Sequence, residues 1–174
     1  MKKLLAIVIC LVMIIGVTAC GNENNNSSKS NKKSAGSETL TCVKTEVDED
    51  GNKTEEKVVV KTKKGIVQKV NQTTIMETES EYIEMSLTMF EGFVAKFNEV
   101  KGITMKAEKQ GENVIKQEIE IDYNKLDIAA IKKVVEELFG DLAKDSDSLL
   151  TSFEKDQLTF ENFQAENLEG YTCN

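Results

Sequence analysis

Two short runs near the middle of the chain alternate apolar and polar residues with a period of two. Ile103, Met105 and Ala107 alternate with Thr104, Lys106 and Glu108, and Ile115, Ile119 and Ile121 alternate with Lys116, Glu118 and Glu120. Successive side chains of an extended strand point to opposite faces, so this period requires a sheet with one covered face and one face in water. Gln110-Gly-Glu-Asn113 lies between the runs and reads as a turn, which makes them an antiparallel hairpin. The covered face then needs a second layer.

The sequence supplies that layer on both sides of the hairpin. From Ser80 to Val100 the residues Ile83, Leu87, Phe90, Val94 and Phe97 recur at helical spacing, and Thr78-x-x-Glu81 before them has the form of a capping box. Leu126, Ala130, Ile131, Val134, Val135, Leu138 and Leu142 predict a second helix starting near Asn124. A third helical stretch is expected within 149–168, broken near Gln157 and stopped at Gly170. Upstream, residues 39–47 and 54–63 are rich in Thr and Val and flank Asp48-Glu-Asp-Gly-Asn52, the pattern of a hairpin; Lys64-Gly65 then leads into a third strand over 66–76. The order β-β-β-α-β-β-α-α predicts an α+β fold, an antiparallel sheet with helices packed on one face.

Residues 1–37 stand apart from this pattern. Met1-Lys2-Lys3 is a short cationic start, Leu4 to Ile15 is apolar, and Gly16-Val17-Thr18-Ala19 offers small residues before Cys20. This is the form of a secretory leader rather than a spanning helix. Val17-Thr18-Ala19-Cys20 resembles the lipobox of bacterial lipoproteins, which implies cleavage after Ala19 and diacylglycerol on the Cys20 sulfur; the alternative is an ordinary signal-peptidase site and a freely secreted product. Residues 21–37 are rich in Asn, Ser and Lys and bury almost nothing, so 20–37 is expected to be an acylated Cys followed by a flexible tether. The expected organisation is a leader over 1–19, this tether, and one globular domain over 38–174. The expected address is the extracytoplasmic face of the cell membrane, reached through the lipid on Cys20.

Composition removes several chemistries. The chain has no His, Trp, Pro or Arg, and all 22 basic residues are Lys. It therefore lacks the side chain that ordinarily titrates near neutrality and the planar fork that grips phosphate and carboxylate. Without residues 1–19 it carries 20 Lys against 30 acids, a net charge of −10 that repels nucleic acid.

The early Leu40-Thr-Cys42 on the first strand, the meander, the long helix, the hairpin and the terminal Glu169-Gly-Tyr-Thr-Cys173 resemble the YehR-like family of small bacterial lipoproteins, which carry a domain of unknown function. The resemblance implies an extracytoplasmic α+β lipoprotein with its paired cysteines linked, and it supplies no catalytic residues. Cysteine usage points the same way. Cys10 leaves with the leader and Cys20 is acylated, so Cys42 and Cys173 remain as a pair in an oxidising compartment, the alternative being two free buried thiols.

Three constellations invite a chemical reading. Asp48 to Asn52 clusters oxygens, but Gly51 is fourth in the run where a calcium loop needs Gly sixth and Glu twelfth; a hairpin turn is expected, Asp145-Ser-Asp147 is read as solvated in the same way, and no metal is expected. Glu118, Glu120 and Asp122 share one strand face at steps of about 6.8 Å, near the carboxylate spacing of inverting glycosidases, yet with Lys116 in the same row a solvated strand face is the expectation. No nucleophile motif and no glycine-rich phosphate loop occurs, so the domain is read as non-enzymatic and without cofactor, a hydrolase using carboxylates being the remote alternative. On the first helix, Tyr82, Met85, Met89 and Phe93 form a second apolar stripe beside the main one. The expected cover is the third helix; the alternative is a Met-rich groove for an envelope protein, a peptide or a small apolar ligand. The expected function is binding or scaffolding in the cell envelope, with carriage of a small apolar ligand between sheet and helices as the rival.

Overall fold

The structure, a computed structural model, describes residues 36–49, 51–140 and 158–174. The expected leader, Cys20 and nearly all of the tether lie outside the described residues, as do Leu142, Asp145, Asp147 and the first half of the expected third helix. The elements in chain order are β1 (Ser37–Val47), β2 (Lys53–Lys63), β3 (Ile66–Glu77), α1 (Ser80–Asn98), β4 (Ile103–Lys109), β5 (Val114–Asp122), α2 (Ile128–Phe139), α3 (Phe160–Asn167) and β6 (Thr172–Cys173). The strands form one six-stranded sheet in the order β4-β5-β3-β2-β1-β6, with every pairing antiparallel. The fold is α+β, with the helices packed against the sheet.

Local chemistry explains the turns. Asp48 closes the first hairpin by accepting from the Asn52 backbone N–H at 2.8 Å and from its side-chain amide at 2.9 Å. The second hairpin has the two-residue loop Lys64-Gly65, both at positive φ (55° and 78°), the backbone that matches the twist of the strands it joins.

Cross-strand partners share a face, so the register sorts the sheet into two. Cys42, Val58, Gln72, Ile119 and Met105 form one row of the covered face, and Leu40, Val60, Val70, Ile121 and Ile103 form the next. A register shift after Lys61 leaves Gln68 unpaired with β2 and returns Val67 to the covered face opposite Thr62. The open face carries rows such as Val43, Lys57, Thr73, Glu118 and Lys106. Two apolar clusters lie on the covered side. The first joins Ile83, Phe90 and Phe97 of α1 and Ile131 and Val134 of α2 to Met76, Met105 and Ile115. The second joins Phe163 and Leu168 to Cys42, Val58, Val60, Val67 and Val70.

The helix ends depart from expectation. The N-cap of α1 is Glu79 rather than Thr78, and its side chain makes no capping bond. α2 begins at Ile128, not near Asn124, because Asp122 to Lys125 fold into a turn: Lys125 N–H donates to the Asp122 carbonyl at 3.0 Å and Asn124 N–H to the Asp122 carboxylate at 3.1 Å. Asp127 then caps the helix, accepting from Ala130 N–H at 3.0 Å. The described part of the third helix is short and packs on the second cluster rather than beside the α1 stripe.

Both sheet edges are managed. At β4, the Asn98 side chain accepts from Met105 N–H at 2.7 Å and donates to Met105 C=O at 3.0 Å, occupying the groups a further strand would use. At β1, the short β6 pairs with Cys42 and Val43.

Candidate functional site

Polar side chains are the exception among the buried residues, and several of those on the covered face fall together. The registers align Lys44, Glu56, Thr74 and Gln117 in one row across β1, β2, β3 and β5, at steps of about 4.8 Å, with Gln72 one step along β3. Along β3 this places Gln72 and Thr74 between Val70 of the second cluster and Met76 of the first, so the row marks the seam between the two cores. Gln72, Thr74 and Gln117 are buried. The Gln72 amide donates to the Thr74 hydroxyl at 3.3 Å. At the open end, Tyr171 donates its hydroxyl to the Glu56 carboxylate, and the Lys44 ammonium lies 5.6 Å from the Tyr171 ring centroid.

Across from the sheet, α1 turns Ser86 inward on the face that also buries Ile83 and Phe90. Two groups in this layer are unmatched. Ser86 is 2% exposed and Gln117 is 7% exposed, and neither the Ser86 Oγ nor the Gln117 Nε2 has a hydrogen-bond partner among the described residues. A buried polar group without a partner costs about 1–3 kcal/mol, so each is an unfilled requirement rather than a neutral detail. The row offers amide donors, hydroxyls and, at its open end, a carboxylate. That is equipment for recognising hydrogen-bonding groups.

The other sequence-derived sites separate. In the α1 stripe, Phe93 packs against the first cluster and Tyr82 is half-buried, while Met85 and Met89 stay 41% and 37% exposed, so the four are not equivalent. Cys42 and Cys173 are joined in a disulfide. The three carboxylates of β5 are each matched to a cation: Glu118 to Lys116 at 2.8 Å, Glu120 to Lys69 at 2.6 Å and Asp122 to Lys125 at 3.0 Å. Hydrogen bonding from Lys116 holds Glu118 below the usual carboxylate range, and bonding from Lys125 and Asn124 does the same for Asp122. A carboxyl that donates a proton in glycoside cleavage needs the opposite shift. Among the described residues, no three His, Cys, Asp or Glu side chains gather as a metal set.

Sequence reading missed the polar row. Its signal was present in β3, where the covered positions run Val67, Val70, Gln72, Thr74, Met76, and two polar residues interrupt an apolar period. Pairing that interruption with Gln117 and Glu56 required the strand register.

No family model matches the chain. No curated protein matches it either. Two solved structures are similar. One is the NMR structure of a protein from Streptococcus pneumoniae, with a TM-score of 0.48 and 11% identity, over 91% of this chain and 99% of that one. The other is the NMR structure of the Escherichia coli YehR protein, with a TM-score of 0.40 and 18% identity, over 68% of this chain and 88% of that one.

Proposed function

We propose that this chain is a YehR-like lipoprotein, anchored through Cys20 to the extracytoplasmic face of the cell membrane, whose domain is a non-enzymatic binding module reading a hydrogen-bonding ligand at the polar seam. The lipobox and leader support the address, and the disulfide between the two end motifs is the link that the family resemblance implies. The observation that carries the binding reading is the Gln117 Nε2, which has no partner among the described residues and belongs to a nearly buried side chain. A donor in that position is matched by an acceptor oxygen from outside the protein. The seam favours such a ligand over a purely apolar one, because an apolar guest leaves Gln117, Ser86 and the Gln72–Thr74 pair as polar as it found them.

Native mass spectrometry tests the reading on the unlipidated Cys20→Ala chain beside the same chain with Gln117→Leu. The first is expected to carry a small-molecule adduct that the second lacks. Bare masses for both would end the proposal for the seam. Fractionation of cells tests the address separately: the chain with Cys20 is expected with membranes and the Cys20→Ala chain without them.

A further inference from the structure

We propose that residues 158–174 are a redox-latched strap, whose end leaves the sheet when the Cys42–Cys173 bond is reduced. The strap crosses the covered face from the start of β3 to the outer edge of β1 and supplies the Phe163 and Leu168 that roof the second apolar cluster. Its two ends are held in different ways. At the start, Val67 N–H donates to Leu158 C=O at 2.8 Å, Phe160 N–H donates to Gly65 C=O at 2.9 Å, and Thr159 bridges to Ile66. These bonds belong to the sheet's interior strand. At the far end, at the outer edge of the sheet, are the short β6, with Thr41 and Asn174 exchanging two backbone bonds at 3.0 Å, the Tyr171 hydroxyl on Glu56, and the disulfide.

Two residues of strand are far below the length at which a strand holds by itself, so the covalent bond is what keeps this end in place. Cys42 is fully buried, whereas Cys173 on the edge strand is partly exposed, so of the two residues Cys173 is the one an incoming thiolate reaches first. A thiolate of a dithiol reductant bonds to the Cys173 Sγ and displaces Cys42 as a thiolate, which takes up a proton. The second thiol of the reductant then closes its own disulfide and frees Cys173. Two electrons and two protons pass from the dithiol to the chain, and the reductant leaves oxidised. Release of the strap's end uncovers the floor of Val58, Val60 and Val70 and frees Glu56 from Tyr171. The inference is independent of what binds at the seam.

Hydrogen exchange of the full chain, oxidised and after treatment with a small dithiol, tests it. Reduction is expected to speed exchange at the Thr41 and Asn174 amides by at least about 100-fold while the Val67 amide keeps its protection, and to raise the fluorescence of a dye that binds exposed apolar surface. The Cys42→Ala/Cys173→Ala chain is expected to match the reduced protein. Unchanged protection at Thr41 and Asn174 in either sample overturns the latch. So does loss of protection throughout β3 and β5, which would make the bond a staple of the whole fold.

Discussion

Asn98→Ala is the sharpest test of how this sheet is finished. Asn98 ends α1, and its amide copies a peptide group, giving Met105 one acceptor and one donor at 2.7 and 3.0 Å. Met105 is buried in the first cluster, but Asn98 itself is exposed, so water reaches part of the vacated space. Two net hydrogen bonds at about 0.5–1.5 kcal/mol each give an expected loss of about 1–3 kcal/mol. With a urea slope of about 1–3 kcal/mol per molar, the unfolding midpoint should fall by about 1 M. Asn98→Asp keeps the acceptor and removes the donor, and its midpoint should lie between the two. The vacated backbone groups also leave β4 with an unpaired edge, so sedimentation velocity should show concentration-dependent association in Asn98→Ala that the parent lacks. A midpoint shift below about 0.2 M would show that the two bonds contribute nothing net, and the account of this edge would fail.

Gly102→Ala should destabilise by more than about 2 kcal/mol in the same urea assay, because Gly102 sits at φ 93° and an added Cβ would lie 2.8–2.9 Å from the Leu126 and Asp122 backbone. In the α1 stripe, Phe93→Ala should cost clearly more than Met89→Ala, which should cost under about 1 kcal/mol; equal costs would mean that Met89 is a core residue after all. Asp122 has a lowered folded pKa, so its contribution to stability is complete above its unfolded value of about 4 and is lost as pH falls through the folded value. A carboxyl NMR titration of Asp122 with a midpoint at or above about 4 would contradict the bonds drawn from Lys125 and Asn124.

What could be read in the sequence follows from the range over which each signal acts. Alternation in β4 and β5, the Thr- and Val-rich meander and the heptad-like spacing of Ile83, Phe90 and Phe97 are properties of ten or twenty neighbouring residues, and these elements stand where the pattern put them. Helix ends depend on single side chains, and there Thr78 yielded to Glu79 and Asn124 to Asp127. Register depends on partners far apart in the chain. Gln117, Thr74 and Glu56 each look like an ordinary polar strand residue until pairing sets them in one row. Asn98 reads as a polar helix terminus, and Thr172-Cys173 is too short to carry any period. The Tyr82, Met85, Met89 and Phe93 stripe was legible as apolar, but its division into a packed Phe93 and two exposed methionines depends on where α1 rests on the sheet.

The position of the seam follows from the topology. A helix with its side chains is about 10–12 Å across and roofs about two strand spacings, so no single helix covers this sheet. α1 and α2 leave from the ends of β3 and β5 and settle over β4, β5 and the end of β3, while among the described residues the chain returns over β1 and β2 through the strap that carries α3. The two roofs are built from different stretches of chain, and they meet over β3. An apolar β3 would weld them into one core; Gln72 and Thr74 keep them distinct, and beside them the buried Gln117 Nε2 has no partner among the described residues. The proposed ligand contact at Gln117 lies where α1 and the sheet meet, one strand spacing from Thr74 and two from Glu56, which Tyr171 of the strap holds. The Tyr171 contact with Glu56 and the Gln117 amide therefore sit at two points of one row of side chains.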